Sequence, residues 1–285
     1  MPALIRAARS LKLVDLPDGR LKTHMSATPV LGGIGIALGA TAGAALTPHA
    51  QLPVLGAAWV LALLGFLDDR SGLGISIRVG AEAAAGAGLF FVGAAFAGDV
   101  AWALPLSILA AIGCVNALNM LDGIDGLAGG LAAIAALGFA VVFALLKDLP
   151  GASFAIALAA ACLGFLVFNF HPARIFMGDC GSYFLGFALF VLLARLQRTS
   201  ELMGLGAGLL IIGVLVGDST WAMIRRVRAG RSPFDGDREH LYDRLIERGL
   251  SVRKTVLVMY GLALAMASLG AYVALRPALS GLGGH

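Results

Sequence analysis

The sequence predicts an all-α, polytopic transmembrane helical bundle of about nine spans, and three observations carry that prediction. Of 285 residues, 59% are hydrophobic and another 39 are glycine. Only 13% are charged, where an ordinary soluble domain holds about 25%, and the mean hydropathy is +0.89. Apolar stretches recur along the chain at lengths near the roughly 20 residues that cross a bilayer as a helix. A soluble globular enzyme is excluded on this composition. Disorder is excluded too, because a chain this apolar does not stay solvated.

Residues 1–29 are polar and basic without a continuous apolar core, so no cleavable signal peptide is expected. The first apolar stretch, 30–48, spaces Gly35, Gly39 and Gly43 four apart, which lets helix backbones approach closely in lipid. The second, 51–67, runs into Asp68 and Asp69. The third, 75–97, carries Arg78 and Glu82 at a helical i,i+4 spacing, which predicts an ion pair snorkelling to the membrane surface. The fourth, 100–118, ends in an Asn- and Asp-rich segment from which the fifth, 127–146, emerges. The sixth, 152–170, closes on Asn169, and the seventh, 182–197, opens after a Gly-Asp-Cys-Gly turn. The eighth, 202–224, meets an arginine-rich run, and the ninth is 255–275. These stretches make one integral membrane domain over residues 1–285.

Alternating nine spans puts the N-terminus and the loops at 68–74, 119–126, 171–181 and 225–254 on one side. That side holds 17 of the 21 lysines and arginines, which makes it cytoplasmic by the positive-inside rule. The net charge of +4 and the pI near 9.2 therefore report topology, and no nucleic-acid partner is expected. Cys114, Cys162 and Cys180 are scattered and show no disulfide or metal spacing. Of the 17 acidic residues only Asp99, Asp148 and Glu201 fall on the outer side. Chemistry is thus expected at the cytoplasmic face.

Four segments there break the apolar pattern with acids and glycines: Phe66 to Arg70, Asn116 to Gly126, Phe176 to Ser182, and Arg231 to His240. Asp68, Asp69, Asp122, Asp125 and Asp179 stand at the inner ends of spans, where they could converge as hard oxygen ligands for Mg²⁺ or Mn²⁺. Either an Asp-Asp pair or an Asp-Gly turn alone is usually a solvated turn. Several such acids on one face only, next to a bilayer core where they are expensive, call for a functional reason.

The ordered motifs Thr28-Pro-Val-Leu-Gly-Gly-Ile34, Asp68-Asp69, Asn116-x-x-Asn-x-x-Asp-Gly-x-Asp-Gly-Leu127, Phe176-Met-Gly-Asp-x-Gly-Ser182 and Pro233-x-x-x-Asp-Arg-x-His-Leu241 resemble those of the polyprenyl-phosphate N-acetylhexosamine-1-phosphate transferases. These are family 4 glycosyltransferases of bacterial membranes, related to the phospho-N-acetylmuramoyl-pentapeptide translocase. The resemblance runs from about Asp15 to Leu250. It implies transfer of a sugar 1-phosphate from a UDP-N-acetylhexosamine to undecaprenyl phosphate at the inner membrane, with UMP released and Mg²⁺ present. A homodimer is left open.

By the same resemblance Asp179 is the metal ligand. Asn116, Asn119, Asp122 and Asp125 fall among the nucleotide and diphosphate contacts, with Asn169 near the nucleotide and the Phe176 ring stacking on uracil. Asp68 and Asp69 are implied as base, as nucleophile, or as groups that position the reactants, and Lys22 as a point charge for phosphate. Many members of the resembled family carry a further span ahead of the Asp-x-Pro motif, and the family's closing His-x-His-His reads His240-Leu-Tyr-Asp243 here. We expect His240 with Arg238 to supply the cationic part of the site. If a helix starts there, 240 and 243 share a face and Tyr242 points away, with Asp243 turned to Arg244 or solvent. Two alternatives remain at this point: a cation-coupled secondary transporter built on intramembrane acids such as Asp218, and the translocase within the family.

Overall fold

The computed structural model describes residues 1–15, 27–46 and 52–280. Eleven helices appear among them: α1 (Pro2–Ser10), α2 (Gly32–Ala45), α3 (Leu52–Ser71), α4 (Ile75–Phe91), α5 (Val100–Leu121), α6 (Leu127–Leu145), α7 (Leu149–Asn169), α8 (Gly178–Ile211), α9 (Gly213–Arg228), α10 (Leu241–Glu247) and α11 (Val252–Ser280). Two short strands, β1 (Val14–Asp15) and β2 (Thr28–Pro29), pair antiparallel at the N-terminal side of the bundle. The chain is an all-α polytopic membrane protein.

Every expected apolar stretch falls on a helix, but among the described residues length and composition alone single out five helices able to cross a membrane: α5, α6, α7, α8 and α11. The difference has local causes. Helices α2, α4 and α9 have 14, 17 and 16 residues, and α3 runs into Asp68, Asp69 and Arg70. The stretch expected at 202–224 is divided between the end of α8 and α9. Within α8, Ser200 and Glu201 leave helical geometry, Glu201 with φ +47°. A Cβ on Gly204 would lie 2.2 Å from the Leu196 carbonyl oxygen, so the chain doubles back sharply at that kink.

Helix α8 is the hub: its first arm is buried almost continuously from Cys180 to Gln197, and the helix as a whole is packed by α2, α3, α5, α6 and α11. A helix apolar on all sides must be surrounded in this way. At the far end of the bundle from Asp68 and Asp179, Asp148 caps α7 by accepting from the Gly151 amide at 3.2 Å. It also takes both prongs of the Arg195 guanidinium, with NH2 at 2.6 Å. Burial favours the neutral carboxyl there, but Arg195 outweighs it and holds Asp148 below the usual carboxylate range. Because α3, α5, α7 and α9 end where α2, α4, α6, α8 and α11 begin, the four polar segments gather at one end.

Glu82 departs from expectation. It is 1% exposed and accepts from Asn116 Nδ2 at 2.7 Å, while Arg78 turns to Asp68. Inside a bundle a cross-helix amide satisfies the carboxylate without bringing it to the surface, so α4 and α5 are locked together instead.

Candidate active site

Helix α3 delivers Asp68 and Asp69 together, but successive helical residues point about 100° apart and the two part ways. Asp68 turns inward and is 8% exposed. Its Oδ2 accepts from Tyr183 Oη at 2.7 Å and Arg78 NH1 at 3.2 Å, and its Oδ1 from the Leu73 amide at 2.6 Å. Asp69 turns toward α8 and caps its N-terminus from another helix, accepting from the amides of Asp179 at 3.0 Å and Cys180 at 3.3 Å. The approach requires Gly65, where a Cβ would stand 2.3 Å from the Asp179 carbonyl oxygen. Gly178 opens α8 at φ +66°, a conformation that excludes most side chains.

Asp179 follows in the first turn of α8, where Asn119 Nδ2 of α5 donates to its Oδ1 at 2.6 Å. The preceding segment is knitted to the N-terminal motif by backbone bonds: Phe176 N to Pro29 O at 2.8 Å, Gly32 N to Phe176 O at 2.9 Å and Gly33 N to Met177 O at 3.0 Å. Two motifs 150 residues apart in sequence thus form one wall.

The turn between α5 and α6 supplies the facing wall. Asn169 Oδ1 accepts from the Gly126 amide and its Nδ2 donates to the Ile175 carbonyl, both at 2.9 Å. Asp125 Oδ2 accepts from the Ala173 amide at 2.9 Å and lies 2.8 Å from His171 Nδ1. Asp122 is part-buried; burial first, then Asp179, Asp69 and Asp125, push its carboxyl well above the usual range.

These walls enclose a cleft of about 710 Å³. Asp69, Asp122, Asp125, Asn169, Phe176 and Asp179 all line it, as does Asp15. Its lining cations are Lys12 and Arg70, so five carboxylates outnumber two positive side chains among the described residues. Asn119 stands behind Asp179 and Asp68 behind the wall. Asn116 is turned away to Glu82, and Lys22 lies outside the described residues.

His240 and Arg238 do not line the cleft. His240 is 3% exposed, with Nδ1 against Asp218 Oδ2 and Nε2 at 3.4 Å from Arg226 NH2. Arg226, also 3% exposed, grips Asp237 with Nε and NH2, joined by Arg225. Burial works against the Asp237 carboxylate, but Arg226 and Arg225 prevail and hold it far below its ordinary range. Arg238 is exposed. His240 is the N-cap of α10 with extended backbone (ψ 162°), so the helical face rule does not reach it. Its ring stacks parallel to Tyr242, centroids 5.5 Å apart, and Asp243 Oδ2 accepts from the His240 amide at 3.2 Å. Tyr242 is thus not turned away, and Asp243 serves as a cap. Asp218, the acid on which the transporter alternative rested, is tied to His240 and to the Leu241 amide at 2.8 Å.

Sequence reasoning missed Arg78, Tyr183, His171 and Arg226. Tyr183 and His171 carried a signal, since each lies inside or next to a recognised motif as a polar ring in an otherwise apolar or loop setting.

The family model described as glycosyl transferase family 4 matches residues 52–197. A probable undecaprenyl-phosphate N-acetylglucosaminyl 1-phosphate transferase of Bacillus subtilis (strain 168) is 34% identical, over 91% of this chain and 76% of its own length. A decaprenyl-phosphate N-acetylglucosaminephosphotransferase of Mycobacterium leprae is 32% identical over 89% and 75%. The undecaprenyl-phosphate alpha-N-acetylglucosaminyl 1-phosphate transferase of Escherichia coli K12 is 32% identical over 93% and 77%. With ordered motifs, a matching family model over half the chain and relatives aligned over most of it, the chain belongs to glycosyl transferase family 4.

Proposed function

We propose that this chain transfers N-acetylglucosamine 1-phosphate from its UDP-sugar to undecaprenyl phosphate at the cytoplasmic face of the bacterial inner membrane, releasing UMP and starting a surface polysaccharide. The observation that carries this reading is the carboxylate-walled cleft at one end of the bundle; at a membrane face such a cleft would meet a soluble nucleotide and a lipid headgroup together. The names of the relatives supply the sugar and the carrier. In this reading the chain crosses nine times, through α2 to α7, the first arm of α8, its second arm continued by α9, and α11. The cleft then lies on the side holding most lysines and arginines.

Donor and acceptor bring phosphate charge to a wall that is already negative, and a divalent cation reconciles them. Hard carboxylate oxygens fit Mg²⁺, with Mn²⁺ as the alternative. No three His, Cys, Asp or Glu side chains form a ready cage among the described residues. That suits Mg²⁺, which takes one or two carboxylates and fills its shell with water and substrate phosphate. Asp179 would hold the ion, its carboxylate oriented by Asn119. When bound, the ion neutralises charge developing on the diphosphate.

The chain's own side chains orient the reactants. Asp68 is engaged by Tyr183, Arg78 and Leu73, and Asp69 by two α8 amides, so both act here as positioning groups. A lipid phosphate monoester, with a second pKa near 6, is largely dianionic at neutral pH and needs no base. This supports a single in-line displacement: an acceptor oxygen bonds to the β-phosphorus as the bond from that phosphorus to the UMP oxygen breaks. Asp122, Asp125 and Asn169 place the nucleotide side of the cleft, the Phe176 ring stacks on uracil, and Lys22 attracts acceptor phosphate. His240 and Arg238 act through the loop that carries them.

The test is the purified full chain with undecaprenyl phosphate, Mg²⁺ and a panel of UDP-sugars, following UMP release. UDP-N-acetylglucosamine should turn over best. No turnover with any N-acetylhexosamine donor would overturn the reading.

A further inference from the structure

Tyr242 stands where the resembled family carries a histidine, and its surroundings are specific. It is 5% exposed. Behind it lies the His240 ring, parallel within 3°. His240 is in turn fixed by Asp218 and faces Arg226, both from α9. The phenol therefore leans on a braced support. In front of it lies Gly123: an ideal Cβ there would stand 2.1 Å from Tyr242 Oη and 2.8 Å from Cζ. The hydroxyl end of the ring thus rests on the Gly123 backbone, which lines the cleft between Asp122 and Asp125.

The two glycines of this Asp-Gly-x-Asp-Gly segment differ in what requires them. Gly126 has φ +82°, so its backbone excludes most side chains. Gly123 is not among the residues with positive φ. Its backbone would accept alanine, and the obstacle is the tyrosine. Burial first, then the charges of Asp243, Asp218 and Asp122 against that of Arg238, push the phenol's pKa up. A neutral, rigid ring occupies a place where histidine would bring a titratable charge.

We propose that Tyr242 is a positioning residue that sets the Asp122–Asp125 turn by bearing on Gly123, and so tunes affinity for the nucleotide sugar. The naming of that ligand rests on the function proposed above; the mechanical coupling does not.

The test is a double-variant cycle on the full chain in lipid nanodiscs, comparing Gly123→Ala, Tyr242→Leu and the pair, with Tyr242→Phe as the conservative control. Gly123→Ala should raise KM for the nucleotide sugar about tenfold with KM for the lipid phosphate unmoved. Tyr242→Leu makes room, so the double variant should fall back to the level of Tyr242→Leu alone, and Tyr242→Phe should stay close to wild type. Backbone hydrogen exchange over 122–126, measured without substrate, should rise in each single leucine or alanine variant, with the double no faster than Tyr242→Leu. A chain without turnover would end the functional reading while exchange still judged this one. If Gly123→Ala fails to fold, restored accumulation of the double variant is the expected result. Independent, multiplying effects of the two substitutions, or no restoration by Tyr242→Leu, would overturn the proposal.

Discussion

The cleft wall and the polar segment from Arg225 to Glu247 sit side by side and treat charge in opposite ways. In the loop, Asp237 meets Arg225 and Arg226, Glu239 meets Arg225, and His240 meets Asp218. In the wall, Asp69, Asp122, Asp125 and Asp179 lean on amides, an asparagine, a histidine and one another, and carboxylates outnumber cations among the described residues of the cleft. Compensated charge makes architecture. Acidic charge that few cations answer among the described residues is what the cation and phosphate ligand of the proposed function would meet.

Substitutions in the two regions should therefore fail differently. The largest effect is expected from Asp179→Asn, which removes a charged oxygen at constant volume. Transfer should fall by about 10²–10³ in kcat with the melting temperature little changed; full Mg²⁺-dependent activity would remove Asp179 from the metal role. In the loop, Arg226→Met should instead cost about 3 kcal/mol of stability, because it leaves the Asp237 carboxylate with Arg225 alone and exposes the His240 support to rearrangement. A variant melting like wild type would show that the network is dispensable.

A smaller, mixed effect is expected at His240, which belongs to the loop and reaches the cleft wall only through the Tyr242 ring. His240→Ala should lower kcat/KM about tenfold, equal to about 1.4 kcal/mol, and also loosen α10. Asp243→Asn, which keeps a capping oxygen, should stay within about twofold. The reverse pattern would put Asp243 rather than His240 at the working end of the loop. Phe176→Leu should raise KM for the nucleotide sugar with kcat less affected, as uniform binding is lost.

The smallest effect is one of pH. Asp237 has a folded pKa below its unfolded value of about 3.9. Its pairing therefore contributes fully above that unfolded value and is lost as pH falls from there toward the folded one. Asp237→Asn should remove this acid-side dependence of melting temperature while leaving the curve above pH 5 parallel to wild type.

Much of this was legible in the residues. Nine apolar stretches marked the helices because backbone in lipid must be helical, and the motif acids marked the cleft because acids beside a bilayer are rare. What could not be read was direction. Asp68 and Asp69 are adjacent, yet one is sealed beneath Tyr183 and the other caps α8, a choice made by the close crossing of α3, at Gly65, over the start of α8. Glu82 obeyed i,i+4 spacing with Arg78 in sequence, but tertiary packing offered each a better partner. Asn116 matched a motif position and serves the interior. His240 and Tyr242 were assigned faces by helical arithmetic, which fails at an extended N-cap.

The contrast between the two regions is tested most directly by Mn²⁺ binding to the full chain in the presence of UDP-N-acetylglucosamine, followed by electron paramagnetic resonance. Wild type and Asp237→Asn should each bind one ion per chain, and Asp179→Asn should lose it. Equal binding by all three, or loss in Asp237→Asn with retention in Asp179→Asn, would contradict the assignment of the cation to the cleft wall.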